Sequence, residues 1–183
     1  MIHSVSETVI VTALKNGDVR RAVELLLETY QDELYGYCAR LVGLASATSV
    51  YQRVLAAAVE DIAASQDGST SLKAWLYGLA RNAVTHHHRT EVRSHPAALD
   101  PEYAPVEGPI DLPGMRLQDP DVERALAGLD GSTREVLQLT LWHGLKLAEV
   151  AAVTGRSVAD VRRLATAGLS AVGLGLSVGG SPS

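Results

Sequence analysis

The chain holds a single cysteine, Cys38, no phenylalanine, and no apolar run approaching the roughly 18 residues that a membrane-spanning helix needs. One thiol cannot close an internal disulfide, so nothing implies an oxidising compartment. The N-terminus, Met1-Ile2-His3-Ser4-Val5, lacks a basic region followed by an apolar stretch, so no secretory leader is expected. Bases are the minority: 16 Lys+Arg against 21 Asp+Glu leave a net charge of -5. A free-standing DNA coater or an electrostatic membrane binder carries the opposite sign. There is no P-loop, nucleophile elbow or zincin motif, and Gly173-Leu174-Gly175-Leu176 is too irregular for a dinucleotide loop. The carboxylates are not paired on helices. The expectation is a cytoplasmic protein that is not an enzyme, carries no cofactor and does not enter a membrane.

What is present is a globular balance of 46% hydrophobic and 20% charged residues, in 183 residues that suit one ordinary domain or two small ones. Six of the seven prolines (Pro96, Pro101, Pro105, Pro109, Pro113, Pro120) crowd between Ser94 and Asp121. Proline at that density removes backbone donors and fixes φ, so neither a helix nor a central strand persists there. Between Ser94 and Glu123 seven acids face one base, Arg116. At roughly 3 Å per residue, such a tether reaches about 80 Å. Two lobes joined by an acidic linker follow.

Before the tether the periodicity is helical. Val19, Ala22, Val23, Leu26, Tyr30, Leu34, Tyr37 and Leu41 step by three or four behind a capping Asp18. Tyr51, Val54, Leu55, Ala58, Val59 and Ile62 make a second stripe, and Leu72, Trp75, Leu76, Leu79, Ala80, Ala83 and Val84 a third. The third is entered through Ser69-Thr70-Ser71, whose hydroxyls can cap it. No segment alternates with period two long enough for a strand, so this lobe reads as three or four helices. After the tether come four shorter patterns. The first runs from Val122 to Leu129; the second is opened by Ser132-Thr133-Arg134-Glu135, a capping-box sequence, and ends at His143-Gly144. Leu147 to Val153 stops at Thr154-Gly155, and Ser157-Val158-Ala159-Asp160 caps a last helix through Val161, Ala165, Gly168 and Val172. A short helix, a turn at Gly155 and a capped second helix make a helix-turn-helix. The uncharged stretch from Gly173 to Ser183 is expected to fray.

Some side chains suggest chemistry. Arg162 and Arg163 open the last helix, where a helix-turn-helix presents side chains to base edges; two solvated arginines are the plainer account. Lys73, Arg81, Asn82, Arg89 and Arg93 with His86-His87-His88 form the most basic stretch, suited to holding unstacked bases. Trp75 lies on the apolar stripe and is expected in the core. Three consecutive histidines project about 100° apart on a helix and cannot chelate one ion together, so no metal site is expected.

The string Ala74-Trp75-Leu76-Tyr77-Gly78-Leu79-Ala80-Arg81-Asn82 resembles one in the extracytoplasmic-function (ECF) sigma factors, the short two-lobe branch of the bacterial sigma-70 family. In the second lobe Leu129, Thr133-Arg134-Glu135-Val136-Leu137, Gly144-Leu145, Glu149-Val150-Ala151 and Gly155 are similar in spacing to that family's helix-turn-helix. The missing phenylalanine and alanine-rich helices fit a GC-rich bacterial genome. The resemblance implies an all-α fold: a region 2-like helical bundle over 1–93, an acidic Pro-rich linker over 94–120, a region 4-like helix-turn-helix over 121–173 and a flexible tail over 174–183. It implies a subunit that directs core RNA polymerase to promoter DNA, with the first lobe opening the -10 element and the second reading the -35 element. The implied DNA contacts are Lys73, Arg81, Asn82, His86, His87 and Arg89, with residues 65–70, and then Ser157, Arg162 and Arg163. The implied polymerase contacts are Tyr51, Gln52, Arg53 and Leu55, and an anti-sigma factor is a further implied partner. The linker would thread polymerase channels, its negative charge mimicking phosphate. Two departures keep a second reading open. Thr48, Ser49 and Arg53 stand where the family has acids, and no Lys or Arg follows Arg163. A degenerate sigma-like protein that binds an anti-sigma factor or polymerase without promoter DNA would need neither. A helix-turn-helix regulator working without polymerase ranks third, since it leaves the first lobe unexplained.

Overall fold

The computed structural model describes residues 7–62, 71–94 and 120–179; the side chains of 92–94, 120–123 and 174–179 are outside that description. The expected tether and the loop over residues 65–70 therefore lie outside the described residues, apart from the two helix ends that flank the tether. All regular structure among the described residues is helical.

The first lobe contains α1 (Glu7–Lys15), α2 (Val19–Val42), α3 (Leu44–Asp61) and α4 (Leu72–Ser94). α1 has no counterpart in the sequence reading; it buries Ile10 and Leu14 against α2. Asp18 caps α2 by accepting the Arg21 N–H at 3.1 Å, and Ser71 Oγ caps α4 by accepting the Ala74 N–H at 3.2 Å. Gly43, at φ 78°, makes the sharp corner between α2 and α3 that a side chain would strain. The core stripe of α3 is Ala47, Val50, Val54 and Ala58, continued by Ile62. Val59, expected inside, is 52% exposed, because a strict i, i+4 row rotates it outward. Trp75 is half-buried against the core as expected.

The second lobe contains α5 (Pro120–Ala127), α6 (Gly131–Leu137), which widens into a π-helical turn over Gln138–Trp142, then α7 (Leu147–Thr154) and α8 (Val158–Gly179). The expected capping box of Ser132 with Glu135 does not form. Asp130 is the cap, accepting the Thr133 N–H at 3.0 Å, and hydrogen bonds from the Thr133 hydroxyl and then its N–H hold the Asp130 carboxyl below the usual range. Starting the helix two residues earlier turns Glu135 inward. Arg134 closes the preceding helix: its guanidinium donates to the carbonyls of Leu126, Ala127 and Leu129 at 2.7 to 3.0 Å, groups that a helix end otherwise leaves unpaired. Gly155 takes φ 67° at the end of α7, as the helix-turn-helix spacing predicts. α8 continues to Gly179, through the stretch expected to fray from Gly173; residues 180–183 are outside the description.

α8 approaches α6 closely at Gly168. A Cβ there would lie 2.6 Å from Leu137 Cδ1 and 2.7 Å from Thr133 Cγ2. Gly168→Val is expected to destabilise the protein by about 1–3 kcal/mol through overpacking. A thermal melt of the variant should show the lowered midpoint, with the N-terminal helices unaffected in hydrogen exchange.

Candidate nucleic-acid interface and the junction between the lobes

On α4, Asn82, His86 and Arg89 step by four and three residues and share one exposed face. Arg53 of α3 reaches this face, with a guanidinium nitrogen 3.0 Å from His86 Nδ1. Arg53 thus joins the basic strip, where the resemblance implied an acidic docking surface. His87 lies 3.3 Å from Glu91, and His88 Nε2–H donates to the Leu41 carbonyl at 3.1 Å. The three consecutive histidines face three different partners, and desolvation lowers the pKa of His88. Lys73 sits apart from the strip, paired with Glu33 at 2.9 Å.

The polymerase-facing candidates occupy two faces of α3. Gln52 and Arg53 are exposed, whereas Tyr51 and Leu55 are half-buried, Tyr51 against the edge of Tyr35 at 5.7 Å. At the positions that lack acids, Thr48 lies 3.4 Å from the Tyr35 hydroxyl and Ser49 donates to the Ser46 carbonyl.

In the helix-turn-helix, the Ser157 hydroxyl is taken up in capping α8: it accepts the Asp160 N–H at 3.0 Å and donates to the Asp160 carboxylate at 2.7 Å. That bond, then Arg163, lowers the Asp160 pKa. Arg163 leans toward Asp160 at 3.4 Å, and Arg162 is exposed on the neighbouring face of the first turn. The carboxylate that would repel phosphate is therefore partly neutralised by its own helix.

Arg81, the remaining first-lobe candidate, points elsewhere. Its Nε donates to Glu135 Oε1 at 2.9 Å, and Tyr37 donates to the same oxygen at 3.3 Å. Glu135 is only 3% exposed. Beside this pair the Tyr77 hydroxyl lies 2.6 Å from His143 Nδ1 and donates to Glu33 at 3.4 Å. The rings of Tyr37, Tyr77 and His143 pack edge-on and tilted, with centroids 4.8 to 5.9 Å apart. The Arg40 guanidinium caps the Trp142 ring at 4.6 Å. Tyr37, Arg40, Tyr77 and Arg81 belong to the first lobe, and Glu135, Trp142 and His143 to the second. One continuous buried cluster accordingly spans both lobes, with α4 against α7. The sequence reading assigned Glu135 to a cap and His143 to a helix end. The available signal was polar-tipped Tyr37 and Tyr77 on apolar stripes, which need partners when buried.

Comparisons with known proteins agree with this architecture. Residues 26–94 match the profile of Sigma-70 region 2 and residues 125–172 that of Sigma-70, region 4. The chain is 31% identical over 169 residues to the Probable RNA polymerase sigma-C factor of Mycobacterium bovis, covering 88% of this chain and 89% of that one. It is 32% identical over 157 residues to the ECF RNA polymerase sigma factor SigD of Mycobacterium tuberculosis, covering 80% and 72%. Among solved structures, the sigma factor RpoE in complex with the anti-sigma factor NepR from Bartonella quintana superposes with a TM-score of 0.66 at 22% identity, covering 88% of this chain and 98% of that one. A region 2 bundle followed by a region 4 helix-turn-helix defines a promoter-recognition subunit of RNA polymerase. The chain belongs to the sigma-70 family, in its ECF branch. It is a non-enzymatic transcription initiation factor that directs core RNA polymerase to promoter DNA. No helix among the described residues is long and apolar enough to cross a membrane.

The junction makes an asymmetric prediction. Arg81→Met leaves a buried carboxylate without its cation and should cost about 3–5 kcal/mol, whereas Glu135→Leu should cost less, because Arg81, at 23% side-chain exposure, can turn toward water. The double variant should recover much of the loss. Urea unfolding of the four proteins completes the cycle.

Proposed function

We propose that this sigma factor grips DNA through the exposed α4 face and the first turn of α8. The first lobe, over 1–93, opens the -10 element with Asn82, His86 and Arg89 in direct contact, aided by Lys73, Arg81 and His87. The helix-turn-helix lobe, over 121–173, reads the -35 element with Arg162 and Arg163, while Ser157 fixes the helix start that aims them. The observation that carries this reading is the line of exposed Asn82, His86 and Arg89 with Arg53 alongside, on a chain of net charge -5. Lobes serving elements about two helical turns apart, roughly 70 Å, need the long acidic tether over 94–120.

Tyr51, Gln52, Arg53 and Leu55 form the proposed polymerase contact, supported by exposed Gln52 and Arg53. Arg53 then serves both surfaces, which places polymerase docking next to the melted strand. The protein works in the cytoplasm, where polymerase and promoters are, and an anti-sigma factor is a proposed regulator. The rival reading, a sigma-like protein that binds partners without promoter DNA, draws support from the small number of bases on α8.

Run-off transcription with core polymerase separates the two. Asn82→Ala and Arg162→Ala should each lower promoter-specific transcripts several-fold in a folded protein. Arg162→Ala should also reduce the salt slope of promoter binding by about one. Full transcription from both variants would remove these assignments, and co-elution with polymerase but no transcripts would favour the rival.

A further inference from the structure

The contacts between the lobes oppose the function just described. Two lobes packed face to face cannot reach promoter elements roughly 70 Å apart. In this arrangement Arg81 is also held against Glu135, away from DNA. We propose that the Arg81–Glu135 and Tyr77–His143 junction is an autoinhibitory latch that holds the sigma factor closed and that protonation of His143 releases.

His143 is 4% exposed, and its Nε2 has no hydrogen-bond partner among the described residues. A neutral ring carries one proton. On Nδ1 that proton donates to the Tyr77 oxygen, and the Tyr77 hydroxyl donates onward to Glu33, leaving Nε2 as a bare lone pair. The other tautomer buries an N–H with no acceptor, which is costlier. A second proton creates that same orphaned N–H and adds a charge. The charged and titratable groups facing His143 are Tyr37, Arg40 and Glu33 on α2 and Tyr77 and Lys73 on α4. Glu33 is 4.0 Å away and already holds Lys73. Burial, then the Lys73 and Arg40 charges, push the His143 pKa down to about 3.

The sign follows from linkage. In the open form His143 meets water and titrates near its ordinary value of about 6.5. Protons therefore prefer the open form. The latch is at full strength above about 6.5 and weakens by up to about tenfold per pH unit as pH falls toward 3. Between pH 7.5 and 5.5 the open-to-closed ratio should rise about tenfold. The regulatory meaning rests on the DNA contacts proposed above, but the latch does not, so its test uses no DNA.

Full-length protein carrying Arg20→Cys and Ser170→Cys, both exposed, can be labelled with a dye pair while Cys38 stays buried. Single-molecule energy transfer then counts closed and open molecules. The expected result is a mainly closed population at pH 7.5, an open one gained on Glu135→Gln, and an open-to-closed ratio that rises about tenfold at pH 5.5. Adding His143→Gln, which keeps a polar side chain but cannot titrate, should abolish the pH response. Circular dichroism at both pH values separates opening from loss of helix. A ratio that pH does not move in either the parent or Glu135→Gln protein overturns the proposal, as does a pH response that survives His143→Gln. A failure of the Asn82 or Arg162 variants in transcription would leave this result standing.

Discussion

A carboxylate removed from water must be answered by a cation and by hydrogen bonds, and Glu135 is answered by residues from the other half of the chain. Its 3% exposure is possible only because Arg81 and Tyr37 bring their donors across the junction. The rest of the compact arrangement follows from that demand. Asp130 must begin α6 early enough to turn Glu135 inward, and α4 must lie against α7 for Arg81 to reach. The aromatic trio of Tyr37, Tyr77 and His143 then seals the pair from solvent. A buried ion pair of this kind adds little stability over an apolar substitute, yet it is intolerant of losing one member. It specifies one relative placement of the lobes while remaining close to balance.

The proposed nucleic-acid surfaces show a similar economy. Several bases are already engaged within the protein: Lys73 with Glu33, Arg134 with three carbonyls, and Arg163 with Asp160. Exposed bases lie on α3, α4 and the start of α8, and also at Lys15, Arg124 and Lys146. A subunit that meets DNA only together with polymerase does not need a high charge of its own, since long-range attraction can come from the assembly. The overall negative charge and the narrow basic strip fit that division.

The helices and the helix-turn-helix were legible because period and punctuation agree. Asp18, Ser71, Gly155 and Ser157 all act at the helix boundaries where their chemistry suggested. α1 escaped because its apolar positions are few and gain meaning only from packing on α2. Val59 was misplaced because a two-faced apolar stripe does not say which edge is covered. The cap of α6 was misread because Ser132-Thr133-Arg134-Glu135 fits a local motif that tertiary pairing overrides; Glu135 gains more from Arg81 than from a backbone N–H. The exposed part of the candidate site was legible as charge, whereas the junction was not. Hydrogen-bonded residues 54 to 98 apart in sequence meet there, and no local pattern encodes such a meeting.

The guanidinium of Arg40 resting on Trp142 gives the molecule an optical property. The sequence holds two tryptophans, and Trp75 lies within the first lobe, whereas the second-lobe indole is covered by a first-lobe cation. A positive charge held over an indole perturbs its excited state, and removing it exposes the ring to water. Intrinsic emission therefore carries a label-free record of whether the halves touch, and replacing Trp75 would leave that record to a single fluorophore.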